Sequence, residues 1–182
     1  VRGDRHSHFS AMNIGIKKSS GEYLWFLNSG DSRHVDFTQQ ELQSVSGDIF
    51  YGNTSYINDG QVHSLSTKPM FSTNHKNKLK HSLPCHQSIL FNRKFLERHQ
   101  IFYDLEVPVS ADYRFIECCV SSGATILYRP IFVSNFTLGG ISTKYKNLSQ
   151  LRKHAHGIKI TRNLNFIQHK ILFIKLLRKL RW

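Results

Sequence analysis

Asp31 closes the polar stretch Asn28-Ser-Gly-Asp31, directly after an apolar run. A carboxylate in a turn at a strand's end can hold a hard divalent cation such as Mg²⁺ or Mn²⁺, which prefers oxygen ligands and would bridge the phosphates of a nucleotide. An aspartate in a turn can equally bond its own backbone. Asp112 lies in Ser110-Ala-Asp-Tyr-Arg-Phe115, where a helix is predicted to open. There a carboxylate can act as a general base, or it can cap the helix and answer its dipole. His86-Gln87 follows Pro84-Cys85. An imidazole beside an amide in that setting can contact a phosphate or a sugar hydroxyl, or fill a structural role.

Other chemistries find less material. The pairs His6/His8 and His154/His156 have no carboxylate or cysteine partner at metal-ligand spacing and read as exposed. Cys85, Cys118 and Cys119 are an odd set with one vicinal pair, a poor disulfide framework. They suit a reducing compartment, so the expected location is the cytoplasm. There is no GxSxG, P-loop, HExxH or GxGxxG pattern.

These side chains need elements to carry them. Phe9, Met12 and Ile16 recur at helical spacing and predict a helix over about 7–18, with Gly21 as its stop. Tyr23-Leu-Trp-Phe-Leu27 is a continuous apolar run, the pattern of a central strand buried on both faces. Asn28–Asp31 then sits at a strand's carboxyl end, where open α/β sheets bind ligands. A short helix is predicted over 38–45 and a strand over 48–51, closed by Gly52-Asn53. Strands over 54–57 and 62–65 flank the hairpin signal Asn58-Asp-Gly60. Residues 66–84 read as a long loop. A short strand (88–91), a helical turn or two (94–99) and a helix over 111–121 stopped by Gly123 follow, then strands over 125–128 and 131–136. Gly139-Gly140 reads as a flexible joint. Alternating helices and strands give the α/β class with a mixed sheet flanked by helices.

The chain has 182 residues, long enough for one domain, and 40% of them are apolar, enough for one core. Its net charge of +13 is unevenly placed: residues 118–182 hold 12 basic side chains and no acidic one. That argues against a uniformly basic nucleic-acid-binding domain and for an ordinary domain with a basic extension. No run of about 18 apolar residues spans a membrane. Over 170–182, Leu172, Phe173, Leu176, Leu177 and Leu180 share one helical arc, while Ile171 and Ile174 fall among cations. Such a helix can lie on an anionic membrane surface with Trp182 at the headgroups, or pack on its own domain or a partner.

Together the motifs resemble the family 2 glycosyltransferases of GT-A fold, in a bacterial subgroup of surface-polysaccharide synthesis. The resemblance runs over about residues 9–142. It is carried by Ala11-Met-Asn-Ile-Gly-Ile16, Gly21-Glu-Tyr-Leu-Trp-Phe-Leu-Asn-Ser-Gly-Asp31, Asp48-Ile-Phe-Tyr-Gly52, Cys85-His-Gln-Ser88, Ser110-Ala-Asp-Tyr113 and Gly139-Gly-Ile-Ser142, in that order. It implies an inverting transfer from a nucleotide-sugar donor to a saccharide or lipid-linked acceptor. Asp31 matches the last aspartate of a DxD-like motif that binds Mg or Mn and the donor diphosphate, with Asn28 beside it. Asp112 matches the catalytic base. His86 and Gln87 match an element near donor and acceptor. His6-Ser-His-Phe-Ser10 departs from the subgroup's usual stretch, and the first nucleotide-binding strands would precede Val1. The expectation is therefore a partial, N-terminally truncated GT-A domain over 1–142 that binds donor weakly. A basic helical extension over 143–182 would place the protein at the inner face of a membrane. A non-enzymatic membrane-surface or nucleic-acid-binding protein is the alternative.

Overall fold

The computed structural model describes residues 8–58, 61–65, 84–106 and 111–137. The chain runs α1 (His8–Lys18), β1 (Tyr23–Trp25), β2 (Ser32–Arg33), α2 (Gln39–Gln43), β3 (Ile49–Asn58), β4 (Gln61–Leu65), a 3-10 turn (His86–Ser88), β5 (Ile89–Asn92), α3 (Arg93–Arg98), α4 (Ala111–Ser121) and β6 (Ile126–Thr137). Six strands form one mixed sheet ordered β1-β5-β3-β6-β2, with β4 added to β3. Among the described residues only β3 and β6 run parallel; the other pairs are antiparallel.

Successive strand residues face opposite sides of a sheet, and both sides are covered. Ile49, Tyr51, Ile89 and Phe91 pack with Phe9 and Ile16 of α1, Phe95 and Leu96 of α3, and Phe115, Ile116 and Cys119 of α4. Phe50 and Leu90 point the other way, to Phe37, Val133 and Leu42 of α2. A strand buried on both faces has to be apolar throughout, which is why Ile89-Leu-Phe91 shows no alternation.

The mixed α/β sheet flanked by helices is present, with three local corrections. The apolar run at 23–27 is not central: β1 covers three residues and, among the described residues, pairs only with β5 at the sheet's rim. Leu24 alone of its residues is fully buried, and Leu27 is exposed. The two strands expected over 48–51 and 54–57 are one. Those expected over 125–128 and 131–136 are also one, running through Pro130. What looked like breakers are accommodated by a bulge. Tyr51 pairs Tyr128, Asn53 pairs Phe132 and Thr54 pairs Ser134, so β6 carries extra residues opposite Gly52. Pro130 sits in that excess, where no ladder donor is needed.

The two strands flanking the Asn58-Asp-Gly60 signal pair antiparallel as expected, with Asn58 opposite Gln61. The helix of 111–121 has the expected bounds. The first helix ends three residues before Gly21, where the Ser19 hydroxyl donates to Ile16 O. The loop over 66–83, Gly139-Gly140, the boundary at 142/143 and the helix of 170–182 lie outside the described residues. Among those described, no helix is long and apolar enough to cross a membrane.

Candidate functional site

The loop after β1 is a tight turn in which Asp31 N donates to Asn28 O at 3.0 Å. Gly30 takes φ +91 at its third position, a conformation that favours glycine there. The turn aims the Asp31 carboxylate inward, and each oxygen accepts one hydrogen bond. Oδ2 accepts from Gln87 Nε2 at 2.9 Å, and Oδ1 accepts from the main-chain N–H of Thr137, the last residue of β6, at 3.0 Å. The Thr137 hydroxyl returns a bond to Gly30 O at 2.6 Å.

Gln87 is the buried member, with 1% of its surface exposed. Its Oε1 accepts from Cys85 Sγ at 2.6 Å, and its main-chain oxygen accepts from Trp25 Nε1 at 2.7 Å. The next residue, Ser88, is also buried. It donates to Asn53 O at 3.0 Å and lies 2.6 Å from Thr54 Oγ1 and 2.7 Å from Ser134 Oγ. These bonds moor the 3-10 turn to β3 and β6.

His86 faces elsewhere. Its Nδ1 lies 3.5 Å from Asp112 Oδ2, and its Nε2 lies 3.5 Å from Asn28 Nδ2. Asp112 stands in the first turn of α4, where the helix dipole favours a carboxylate. Its Oδ1 is buried with no hydrogen-bond partner. Beneath lies an aromatic floor: Tyr103 stacks on Phe115 at 4.2 Å, and Phe91 meets Phe115 edge-on at 5.0 Å. Burial holds the Tyr103 phenol well above its ordinary range, with the Asp112 charge adding to the effect. Burial likewise pushes the Cys119 thiol up, and to a lesser degree that of Cys118. In each case the shift favours the neutral form. A cleft of about 350 Å³ opens beside the site between α1 and the loop after β1, lined by Met12, Gly15, Phe26, Asn28 and Ser29 among others.

All five residues singled out from the sequence, Asn28, Asp31, His86, Gln87 and Asp112, therefore belong to one connected cluster. Thr137, Cys85 and Ser88 were not assigned to it in advance. Thr137 is 106 residues from its partner and carries no local signal, whereas Cys85 and Ser88 stood within the Cys85–Ser88 motif. His8 is exposed, as expected.

Among the described residues no three His, Cys, Asp or Glu side chains gather as a metal cage. Asp31 offers one carboxylate whose oxygens each accept one protein hydrogen bond, leaving one further lone pair apiece. That suits a cation that takes its other ligands from phosphates and water.

No family model matches the chain, and no curated protein matches it in sequence. Solved structures do. S. aureus TarS 1-349 superimposes with TM-score 0.53 at 12% identity, over 97% of this chain and 53% of that one. The complex of S. aureus TarS 1-349 with UDP gives TM-score 0.50 at 16% identity, over 70% of this chain and 39% of that one. Its complex with UDP-GlcNAc gives 0.50 at 14% identity, over 91% and 52%. The chain thus spans about half or less of the length of these structures. The likeness establishes a glycosyltransferase-like fold.

Proposed function

We propose that this chain performs the catalytic step of an inverting, GT-A-type glycosyl transfer, moving a sugar from a nucleotide-sugar donor to a hydroxyl of a saccharide or lipid-linked acceptor. The reading rests above all on one observation. The two carboxylates such a reaction uses are held by adjacent residues of a single turn, Asp31 by Gln87 and Asp112 by His86.

Inversion at an anomeric carbon is a direct displacement. The acceptor hydroxyl is a weak nucleophile and needs a base within hydrogen-bond reach. Asp112 is that base. Its Oδ1 is buried, so the proton is taken at Oδ2, the oxygen facing His86. The donor's diphosphate leaves with growing negative charge. Asp31 would hold a Mg²⁺ or Mn²⁺ ion together with the phosphates, and that ion would supply the charge stabilisation. The UDP and UDP-GlcNAc complexes of the similar fold make uridine diphosphate sugars the first donors to try. A membrane-borne acceptor would give the basic 170–182 segment a use, and liposome flotation with and without residues 143–182 tests that.

The decisive experiment is Asp112→Asn, assayed for transfer of labelled sugar. Loss of the base lowers kcat by ~10² or more. A loss below about threefold removes Asp112 from that role. A non-enzymatic basic binding protein would instead leave the wild-type chain inactive on every donor, while it bound vesicles or RNA with a steep salt dependence.

A further inference from the structure

His86 and Gln87 are neighbours in the chain, yet their side chains serve different carboxylates. We propose that the 3-10 turn His86–Ser88 is the element that sets the relative placement of the two acids, with Gln87 as positioning residue for Asp31 and His86 as positioning residue for Asp112. The kinetic half of this statement rests on the sugar-transfer reading above; the structural half does not.

Gln87 is buried to 1% exposure, so no substrate reaches its side chain and it acts through Asp31. Its amide has one workable orientation. The Cys85 thiol donates to Oε1, which leaves the Nε2 hydrogens for the Asp31 carboxylate. A bond from an amide to a charged acceptor inside protein is among the stronger kinds. The Trp25 indole pins the same residue through its main-chain oxygen. His86 is oriented by a parallel logic. The Asn28 amide can only donate, so a bond from it to Nε2 leaves the ring hydrogen for Nδ1, which lies 3.5 Å from Asp112 Oδ2. Ser88 completes the device. Its three buried polar neighbours, Asn53 O, Thr54 Oγ1 and Ser134 Oγ, tie the turn to the middle of the sheet. Two adjacent residues on a moored turn hold two acids in register more tightly than two independent loops would, because supporting contacts on rigid elements fix a site's geometry.

Two double-mutant cycles on the full chain test this by urea unfolding, with no activity required. They are Gln87→Met with Asp31→Asn, and His86→Leu with Asp112→Asn; Gln87→Met with Asp112→Asn is the crossed control. Within each arm, the loss of unfolding midpoint in the double variant is expected to fall short of the sum of the single losses. Across arms the losses should add. If Gln87→Met does not fold, Gln87→Asn, which keeps an amide but falls a methylene short of Asp31, replaces it. Kinetics supply a readout that a purely structural role would not give. Gln87→Met raises the Mn²⁺ concentration that gives half-maximal rate by about tenfold or more, whereas His86→Leu lowers kcat and leaves that concentration unchanged. Additive losses within both arms, or crossed coupling as large as that within an arm, overturn the proposal. So does an active enzyme in which both variants shift the Mn²⁺ dependence alike. A chain that couples as expected but transfers no sugar refutes the catalytic reading and leaves the positioning role standing.

Discussion

Gly52→Ala is the sharpest probe of how the sheet delivers the site. A Cβ at Gly52 would lie 2.5 Å from Ile131 O and 2.6 Å from Val133 Cγ2. The first distance is about 0.9 Å short of ordinary contact, and its atom is backbone, so no rotamer change relieves it. Relief requires β6 to move off β3 at the bulge opposite Gly52. Overpacking of a tight core costs about 1–3 kcal/mol, and a clash against main chain belongs at the upper end. For a chain of this size, ~2–3 kcal/mol lowers the melting temperature by roughly 4–12 °C. Differential scanning calorimetry measures it directly. Gly15→Ala is the control of opposite sign. It lies within α1, a Cβ there meets nothing within 4 Å, and alanine in a helix interior gains about 0.5–1 kcal/mol. If Gly52→Ala melts within about a degree of wild type, the steric argument for the bulge fails.

Stability should also fall in alkali. Burial raises the phenol of Tyr103 and the thiol of Cys119 above their ordinary values. The folded chain keeps both neutral where the unfolded chain ionises them, from about pH 8.5 for a thiol and about pH 10 for a phenol. Their contribution is complete below those values and declines as pH rises beyond them. The urea midpoint is expected to drop between about pH 8 and about pH 10.5, and a flat profile contradicts the burial of these groups. Asn13→Ala removes two hydrogen bonds at once, since Nδ2 donates to Tyr103 O at 2.9 Å and Oδ1 accepts from Tyr103 N at 2.8 Å. The expected cost is ~1–2 kcal/mol, with faster hydrogen exchange at the Tyr103 amide; unchanged exchange would show that the bonds do not form in solution.

Much of the site was legible because its chemistry is local. Asn28 and Asp31 share a turn announced by Gly30, His86 and Gln87 are adjacent, and Asp112 opens a helix whose bounds follow from its apolar spacing and Gly123. Non-local pairing was not legible. Pro130 and Gly52 each read as the end of a strand. Only their placement opposite one another, 78 residues apart in the chain, turns two breaks into one continuous pair of strands. The apolar run at 23–27 shows the opposite error. Composition suited a doubly covered strand, but position in a sheet depends on which other strands are present beside it. Gln87 was read as a donor-binding residue from its neighbour and its motif. It is buried, and its amide donates to the Asp31 carboxylate.

The bulge and the site are one mechanical problem. Thr137 closes β6 and donates to Asp31 Oδ1, while Ser134, three residues earlier, meets Ser88 at the foot of the turn that carries Gln87. Both oxygens of Asp31 are thus held from β6, one directly and one through Ser88 and Gln87. The residues inserted opposite Gly52 decide which β6 side chains face Ser88 and which amide reaches Asp31, because a one-residue slip in a strand sends each side chain to the other face. A register change would exchange Ser134 for Val133 or Asn135 beside Ser88 and leave buried hydroxyls unpaired. The sheet irregularity therefore does more than tolerate Pro130. It aligns the end of β6 with the Asn28–Asp31 turn, and a substitution at Gly52, distant in sequence from every candidate catalytic group, should loosen Asp31 before it unfolds the chain.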